Sequence, residues 1–408
     1  MAGLDRSRWT CSLLAALALL ALAPALGAYS VLTHEAIIDT AWERHLQPLL
    51  LRRFPDATPD QLVEAHAYTY GGAIIQDMGY YPFGSKFFSD LVHYTRSGDF
   101  VLALLHNAQD LDEYAFALGA LAHYAADNNG HPIAVNRVVP MLYPKLKAKF
   151  GAEVTYEDDP GAHLKTEFGF DVVEVAHGNY ASKSYHDFIG FKVAKPLLER
   201  AFEETYSIQL KSVFKSLDLA LGTYRRSISS IIPEMTKAAW SAKKDEIGKS
   251  MPGITRRKFI YNLSRSSFEK EWGKEYDRPG LGARFLAFLF HIVPKIGPFK
   301  ALGFRVPTPP AEKLFMDSFN RTIDRYRVDV ADERANTLKL PNDNFDTGQP
   351  TREGDYRLAD QAYATLLEKL ADKKIAPSPE LRTNILAFYT QQPPRISDKA
   401  GQELESLR

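Results

Sequence analysis

The chain has 408 residues, with 50 Lys and Arg against 50 Asp and Glu, and a single cysteine, Cys11. Balanced charge argues against a protein that tracks a nucleic-acid backbone along a general basic surface, and one cysteine excludes both a disulfide framework and a thiolate metal site. Stability has to come from core packing and bound groups.

Residues 1–28 read as a signal peptide: Arg6 and Arg8, then an uncharged run from Leu13 to Ala23, then Pro24-Ala-Leu-Gly-Ala28. The run falls short of the roughly 20 apolar residues of a spanning helix. The expected product is secreted or periplasmic, and Cys11 leaves with the signal. Without Arg6, Arg8 and Asp5 the chain carries 48 basic against 49 acidic residues, a net charge of −1. We expect a catalytic domain over 29–245, and over 246–408 a Pro/Gly/basic insertion with C-terminal helices packing on or extending it.

Thr33 is placed to cap a helix from His34, with Ile37, Ile38, Ala41 and Trp42 as its apolar stripe. Thr58-Pro59-Asp60 starts a second helix that runs to about Ile75 and brings Asp77 to its end. Tyr80-Tyr-Pro-Phe-Gly84 is a turn rich in aromatics, followed by Val92-His93-Tyr94, and Asp99 opens a helix to about Asn107. The almost wholly apolar stretch Tyr114–Ala122 then leads into His123-Tyr-Ala-Ala-Asp127-Asn-Asn-Gly-His131. Asp158-Asp-Pro-Gly161 breaks the chain before His163 and Glu167. Helical patterns continue over 191–205, 209–221, 227–244, 311–327 and 358–373, and an apolar patch spans Phe285–Val293. No alternating β-branched run is long enough for a sheet, so the fold class is all-α.

The nine residues His123–His131 are the centre of the functional reading. Steps of four on a helix advance by only about 40°, so His123 and Asp127 share a face, and His131 joins them if the helix persists. A buried apolar helix should not end in two histidines and a carboxylate without partners. His34, Asp77, His93, His123, Asp127, His131, His163 and Glu167 make eight residues of ligand type in the first half of the mature chain. Imidazole nitrogen with carboxylate oxygen suits zinc, and eight ligands exceed what one tetrahedral ion takes. His45, His66, His106, His177, His186 and His291 have no partner at ligand spacing and read as surface or satisfied core residues.

The order of these parts resembles the zinc-dependent phospholipase C family, including the catalytic domain of glycosylphosphatidylinositol-specific phospholipase D. The resemblance covers about residues 29–171: Tyr29-Ser-Val-Leu-Thr-His34, Gly72-Ala-Ile-Ile-Gln-Asp77 followed by Tyr-Tyr-Pro, Val-His93-Tyr, the HxxxDxxxH stretch, and His163 with Glu167. It implies a multi-helix fold shared more distantly with S1/P1-type nucleases, and a site for three Zn2+ ions. Asp77, His93 and His123 would hold one ion and His131, His163 and Glu167 a second. His34 and the free amino terminus, expected at Tyr29, would hold the third, bridged by Asp127 to the first.

The chemistry the resemblance implies is hydrolysis of phosphodiesters by a metal-held hydroxide, with Asp77 as ligand or general base. Tyr80, Tyr81 and Phe83 are candidates to wall a substrate pocket. Met78 stands where the secreted bacterial enzymes carry a tyrosine that contacts the head group, and the gap between Asp127 and His131 is closer to the phospholipase D relative. The expected partners are a phospholipid substrate and a membrane surface touched peripherally, with no nucleic acid and with the protein a monomer. Competing functions are phospholipase D-type cleavage of glycosylphosphatidylinositol-like lipids, an S1/P1-like single-strand nuclease, and a secreted zinc-binding protein without turnover.

Overall fold

The centre of the molecule is a pair of helices that touch backbone to backbone. The computed structural model describes residues 31–177, 191–228, 303–390 and 396–408, with isolated positions between 240 and 253. Helix α3 (Pro59–Ile74) begins with a capping box, Thr58 and Gln61 each satisfying the other's backbone amide, and Pro59 at its first position. Helix α6 (Leu111–Gly130) is capped by Asp110, whose carboxylate accepts from the Glu113 amide at 2.8 Å. Nearly all of α6 from Tyr114 to Asp127 is buried, as expected of a helix that is apolar all round. The pair closes through glycines: a Cβ on Gly72 would lie 1.8 Å from the Phe116 carbonyl oxygen, and one on Gly119 2.0 Å from that of Thr69.

The remaining helices wrap this pair in one apolar core. They are α1 (Val31–Ala41), α2 (Gln47–Arg53), α4 (Lys86–Tyr94), α5 (Ser97–Asn107), α7 (Asn136–Leu142), α8 (Pro144–Phe150), α9 (Pro160–His177), α10 (Lys195–Tyr206) and α11 (Leu217–Arg226). Phe202 and Phe214 meet Phe88 of α4 at ring centroid distances of 5.7 and 5.4 Å. The long helix α12 (Pro309–Ala335) lies along α6, and its buried Tyr326 hydroxyl donates to the Leu118 carbonyl at 2.8 Å. Helices α13 (Arg357–Lys373), α14 (Pro379–Phe388) and α15 (Asp398–Leu407) complete the described chain. Among the described residues no helix is long and apolar enough to cross a membrane.

Between α12 and α13 a two-residue antiparallel ladder, β1 (Asp343–Asn344) with β2 (Gln349–Pro350), closes a tight loop. The loop is fastened to the helices on both sides: Phe345 N–H donates to the His93 carbonyl at 3.1 Å and Ser97 Oγ to the Asp343 carbonyl at 2.6 Å. Gly348 has a φ of +64°, and a Cβ there would meet the Asn128 carbonyl oxygen at 2.8 Å, so only glycine lets the turn close on α6.

The fold class is all-α, as expected, with that ladder as the β structure found among the described residues. Two local expectations are corrected. Thr33 lies inside α1, and its amide and hydroxyl bond to the Asp171 carboxylate at 3.1 and 2.6 Å instead of capping the helix with its own side chain. The pattern over 209–221 is a 3-10 turn, Leu210–Ser212, followed by α11, because Ser216 caps a new helix start. His106 lies in the last turn of α5, on the helix expected to run to about Asn107. The signal region, Tyr29 and the Phe285–Val293 patch lie outside the described residues.

Candidate metal centre

Five helical segments deliver the eight ligand-type residues to one buried place. His123 and Asp127 sit one turn apart near the end of α6, and Asp127 Oδ2 lies 3.1 Å from His123 Nε2. At His131 the helix widens into a π turn, His131–Val135, with Pro132 inside it. Proline has no N–H for the α-helical bond, and π turns recur at functional sites. His131 still faces Asp127, with Nε2 3.7 Å from Oδ2. The end of α3 tightens into a 3-10 turn, Ile75–Tyr80, that presents Asp77 to His93 of α4, Oδ1 to Nε2 at 3.3 Å. Asp159 accepts from the Ala162 amide to start α9, which carries His163 and Glu167 with Nδ1 and Oε1 2.8 Å apart. His34 comes from α1, its ring stacked on that of His123 at 4.5 Å.

Backbone and side-chain acceptors behind the imidazoles fix their tautomers. His93 Nδ1 donates to the Ser89 carbonyl at 2.7 Å and His123 Nδ1 to the Ala73 carbonyl at 2.9 Å. In its neutral form each ring therefore offers a lone pair from Nε2, and those two Nε2 atoms face each other at 3.4 Å. Two lone pairs pointed at one another need a cation between them, a proton or a metal ion. His163 donates through Nε2 to Asn136 Oδ1 at 2.8 Å, which turns its Nδ1 lone pair toward Glu167. Asp77 Oδ1, both oxygens of Asp127 and of Glu167, and His163 Nδ1 are buried, and their contacts with one another lack the alignment of hydrogen bonds. A buried polar atom left so is costly unless something else binds it.

The electrostatics carry the same sign. Burial pushes the Glu167 carboxyl well above its usual range, and burial raises Asp77 as well. Burial also opposes ionisation of Asp127, but the surrounding His123, His131 and His93 hold it well below the ordinary carboxylate range. His34 is driven well below its normal value by burial and by the neighbouring His123, so it stays a neutral donor. His93 is opposed by burial yet lifted to about 10 by the close carboxylates of Asp127 and Asp77. Protons and metal ions compete for such lone pairs.

The residues fit zinc. Ligand atoms fall into three groups, each with all members within 4.8 Å of one another: His34, His123 and Asp127; Asp77, His93 and His123; His131, His163 and Glu167. All are nitrogen and oxygen donors in the mix that zinc takes. The last two groups are those the family resemblance implied, and the first joins His34 to Asp127.

The three aromatics expected to wall a pocket go to different places. Tyr80 stands edge-on over His93 at 5.8 Å, Tyr81 packs against Tyr224 at 4.5 Å in the core, and Phe83 is 39% exposed in a turn. Met78 is buried in the main core. Of the other histidines, His66 bonds to Asp39 at 3.1 Å and stacks on Trp42, His45 accepts from Arg327, and His106 is exposed. His186, His291 and the side chain of His177 lie outside what is described.

Two residues near the centre were not read from the sequence. Phe345 closes one side, its ring 5.2 Å from that of His93 and 6.0 Å from that of His123. Asp346 Oδ1 accepts from His131 Nδ1 at 2.9 Å. Despite burial, the hydrogen bond from His131 and the charges of His163 and His131 hold Asp346 down to about 2. The signal available was the turn-forming run Asn342-Asp-Asn-Phe-Asp346-Thr-Gly348, which marks a loop but not its destination.

Residues 33–216 match the model of a family described as zinc-dependent phospholipase C. No curated protein and no solved structure matches it significantly.

Proposed function

We propose that the protein is a secreted, zinc-dependent phosphoric diester hydrolase acting on phospholipids in the phospholipase C manner. The observation that carries this reading is the pair of Nε2 atoms of His93 and His123 facing each other at 3.4 Å among buried carboxylates, within the segment that matches this family. Three zinc ions would be held by the three ligand groups, the one at His34 completed by the amine of Tyr29. Bound zinc supplies Lewis acidity, lowering the pKa of a water and offsetting the charge that builds on a phosphoryl group.

The chain's own residues do the rest. Asp127 addresses two ligand groups through its two oxygens and fixes their spacing. Asp77, whose carboxyl is raised by burial, receives the proton of the attacking water at a carboxylate oxygen. Phe345 and Tyr80 exclude bulk water beside His93, which strengthens the electrostatics of the site. The protein acts as a monomer that touches the membrane peripherally.

The short gap between Asp127 and His131 favours a second reading, phospholipase D-type cleavage of glycosylphosphatidylinositol-like lipids. Product analysis separates the two. The proposal expects diacylglycerol and a phosphorylated head group, lost with a chelator and restored by zinc. Phosphatidic acid as the product would establish the second reading, and lipid turnover unaffected by chelation would refute both.

A further inference from the structure

The second ligand group, His131 with His163 and Glu167, is held in place by a residue 215 positions beyond His131, outside the segment that matches the family. Asp346 acts on both imidazoles at once. Its Oδ1 accepts from His131 Nδ1 at 2.9 Å, so His131 is left with its lone pair on Nε2, toward Asp127. Its backbone carbonyl accepts from Asn136 Nδ2 at 2.7 Å, which turns Asn136 Oδ1 to the Nε2–H of His163 at 2.8 Å. The carboxylate is itself immobilised: Oδ2 accepts from the Tyr156 amide and from the Tyr356 hydroxyl, both at 2.8 Å, and the Asp346 amide donates to Asn344 Oδ1 at 2.9 Å.

An imidazole that donates its rear N–H to a carboxylate is locked in one tautomer, oriented, and made a more basic ligand. We infer that Asp346 is a positioning residue for the metal subsite of His131, His163 and Glu167, and that the loop between α12 and α13 is therefore an obligatory part of the metal centre. This rests on the zinc reading above. The domain that matches the family is incomplete without a segment far downstream.

The test is a zinc titration of the full chain against a chromophoric chelator, comparing wild type, Asp346→Asn and Ser97→Ala. Asp346→Asn keeps the size of the side chain and removes its charge. Ser97→Ala removes an anchor of the same loop, the bond to the Asp343 carbonyl, and leaves Asp346 intact. One zinc should bind Asp346→Asn about 10–100-fold more weakly, the range typical of such outer carboxylates, with the other affinities unchanged. Ser97→Ala, which keeps the carboxylate, should lose clearly less affinity at that site than Asp346→Asn does. Folded Asp346→Asn with wild-type affinity at every site, or an equal loss in Ser97→Ala, would overturn the inference. If Asp346→Asn does not fold, Tyr356→Phe withdraws one donor from Oδ2 and should show a several-fold loss at the same site; no loss there would also overturn it. A wild-type chain that takes up no zinc would instead remove the proposed function on which this stands.

Discussion

Asp127 turns one oxygen to His34 and the other to the rest of the centre: Oδ1 lies 3.6 Å from His34 Nε2, while Oδ2 lies 3.1 Å from His123, 3.5 Å from His93 and 3.7 Å from His131. A carboxylate so placed joins ligand groups that come from α1, α4, α6 and the π turn. Removing it leaves several buried imidazoles without the charge that holds them.

Asp127→Ala should therefore lower turnover by more than the ~10–100-fold typical of residues behind a metal's ligands, and should reduce bound zinc. His106→Ala, at an exposed position on α5, should change stability by less than about 0.5 kcal/mol and leave activity intact. Steady-state rates and metal analysis on both variants check this. Equal activity in the two would mean that the end of α6 is not the centre.

Metal removal should destabilise the fold as well as abolish turnover. Ligand groups drawn from α1, α3, α4, α6 and α9 are crosslinked when metal is bound, and binding to the native state alone adds about 2.7 kcal/mol at a hundredfold excess over Kd. Thermal unfolding with and without chelator should differ by several degrees, and metal analysis should approach three ions per chain, one for each ligand group. Identical melting curves would contradict the account.

Gly119→Ala should act on the site from a distance. The added Cβ would lie 2.0 Å from the Thr69 carbonyl oxygen, so α3 and α6 must part, and His123 is oriented by the carbonyl of Ala73 on α3. Forcing atoms into such a contact typically costs about 1–3 kcal/mol. Denaturant unfolding should show that loss, together with weaker zinc binding. Unchanged stability would mean that the helices have room to spare.

What the sequence discloses here is what repeats locally. Thr58-Pro59 announces a helix start, Asp158-Asp-Pro-Gly161 announces a break, and His123 with Asp127 and His163 with Glu167 are one turn apart wherever their helices go. What it hides depends on tertiary placement. Gly72 and Gly119 look like weak points in helices, and only the crossing of α3 with α6 explains them. Asp346 carries no helical spacing to any ligand, because a loop pinned by Phe345 and Ser97 takes it there. Thr33 reads as a cap, yet Asp171 reaches across from α9 to bind it.

That last contact gives a further prediction. Asp171 accepts from the Leu32 and Thr33 amides, at 2.9 and 3.1 Å, and from the Thr33 hydroxyl, and so anchors the turn that carries His34. Asp171→Ala strands those buried donors at a cost of about 1–3 kcal/mol. Its zinc content should fall at the His34 group, which metal analysis of the purified variant reads directly. Full zinc content with full stability would show that α1 is held by other contacts.

The central claim is that this centre hydrolyses phospholipid phosphodiesters with zinc. It is tested most directly by measuring, on one zinc-loaded preparation, initial rates on phosphatidylcholine vesicles and on single-stranded DNA, before and after chelation. The account predicts faster turnover of the lipid, abolished by the chelator and restored by zinc. Faster hydrolysis of the DNA, or lipid hydrolysis indifferent to the chelator, would contradict it.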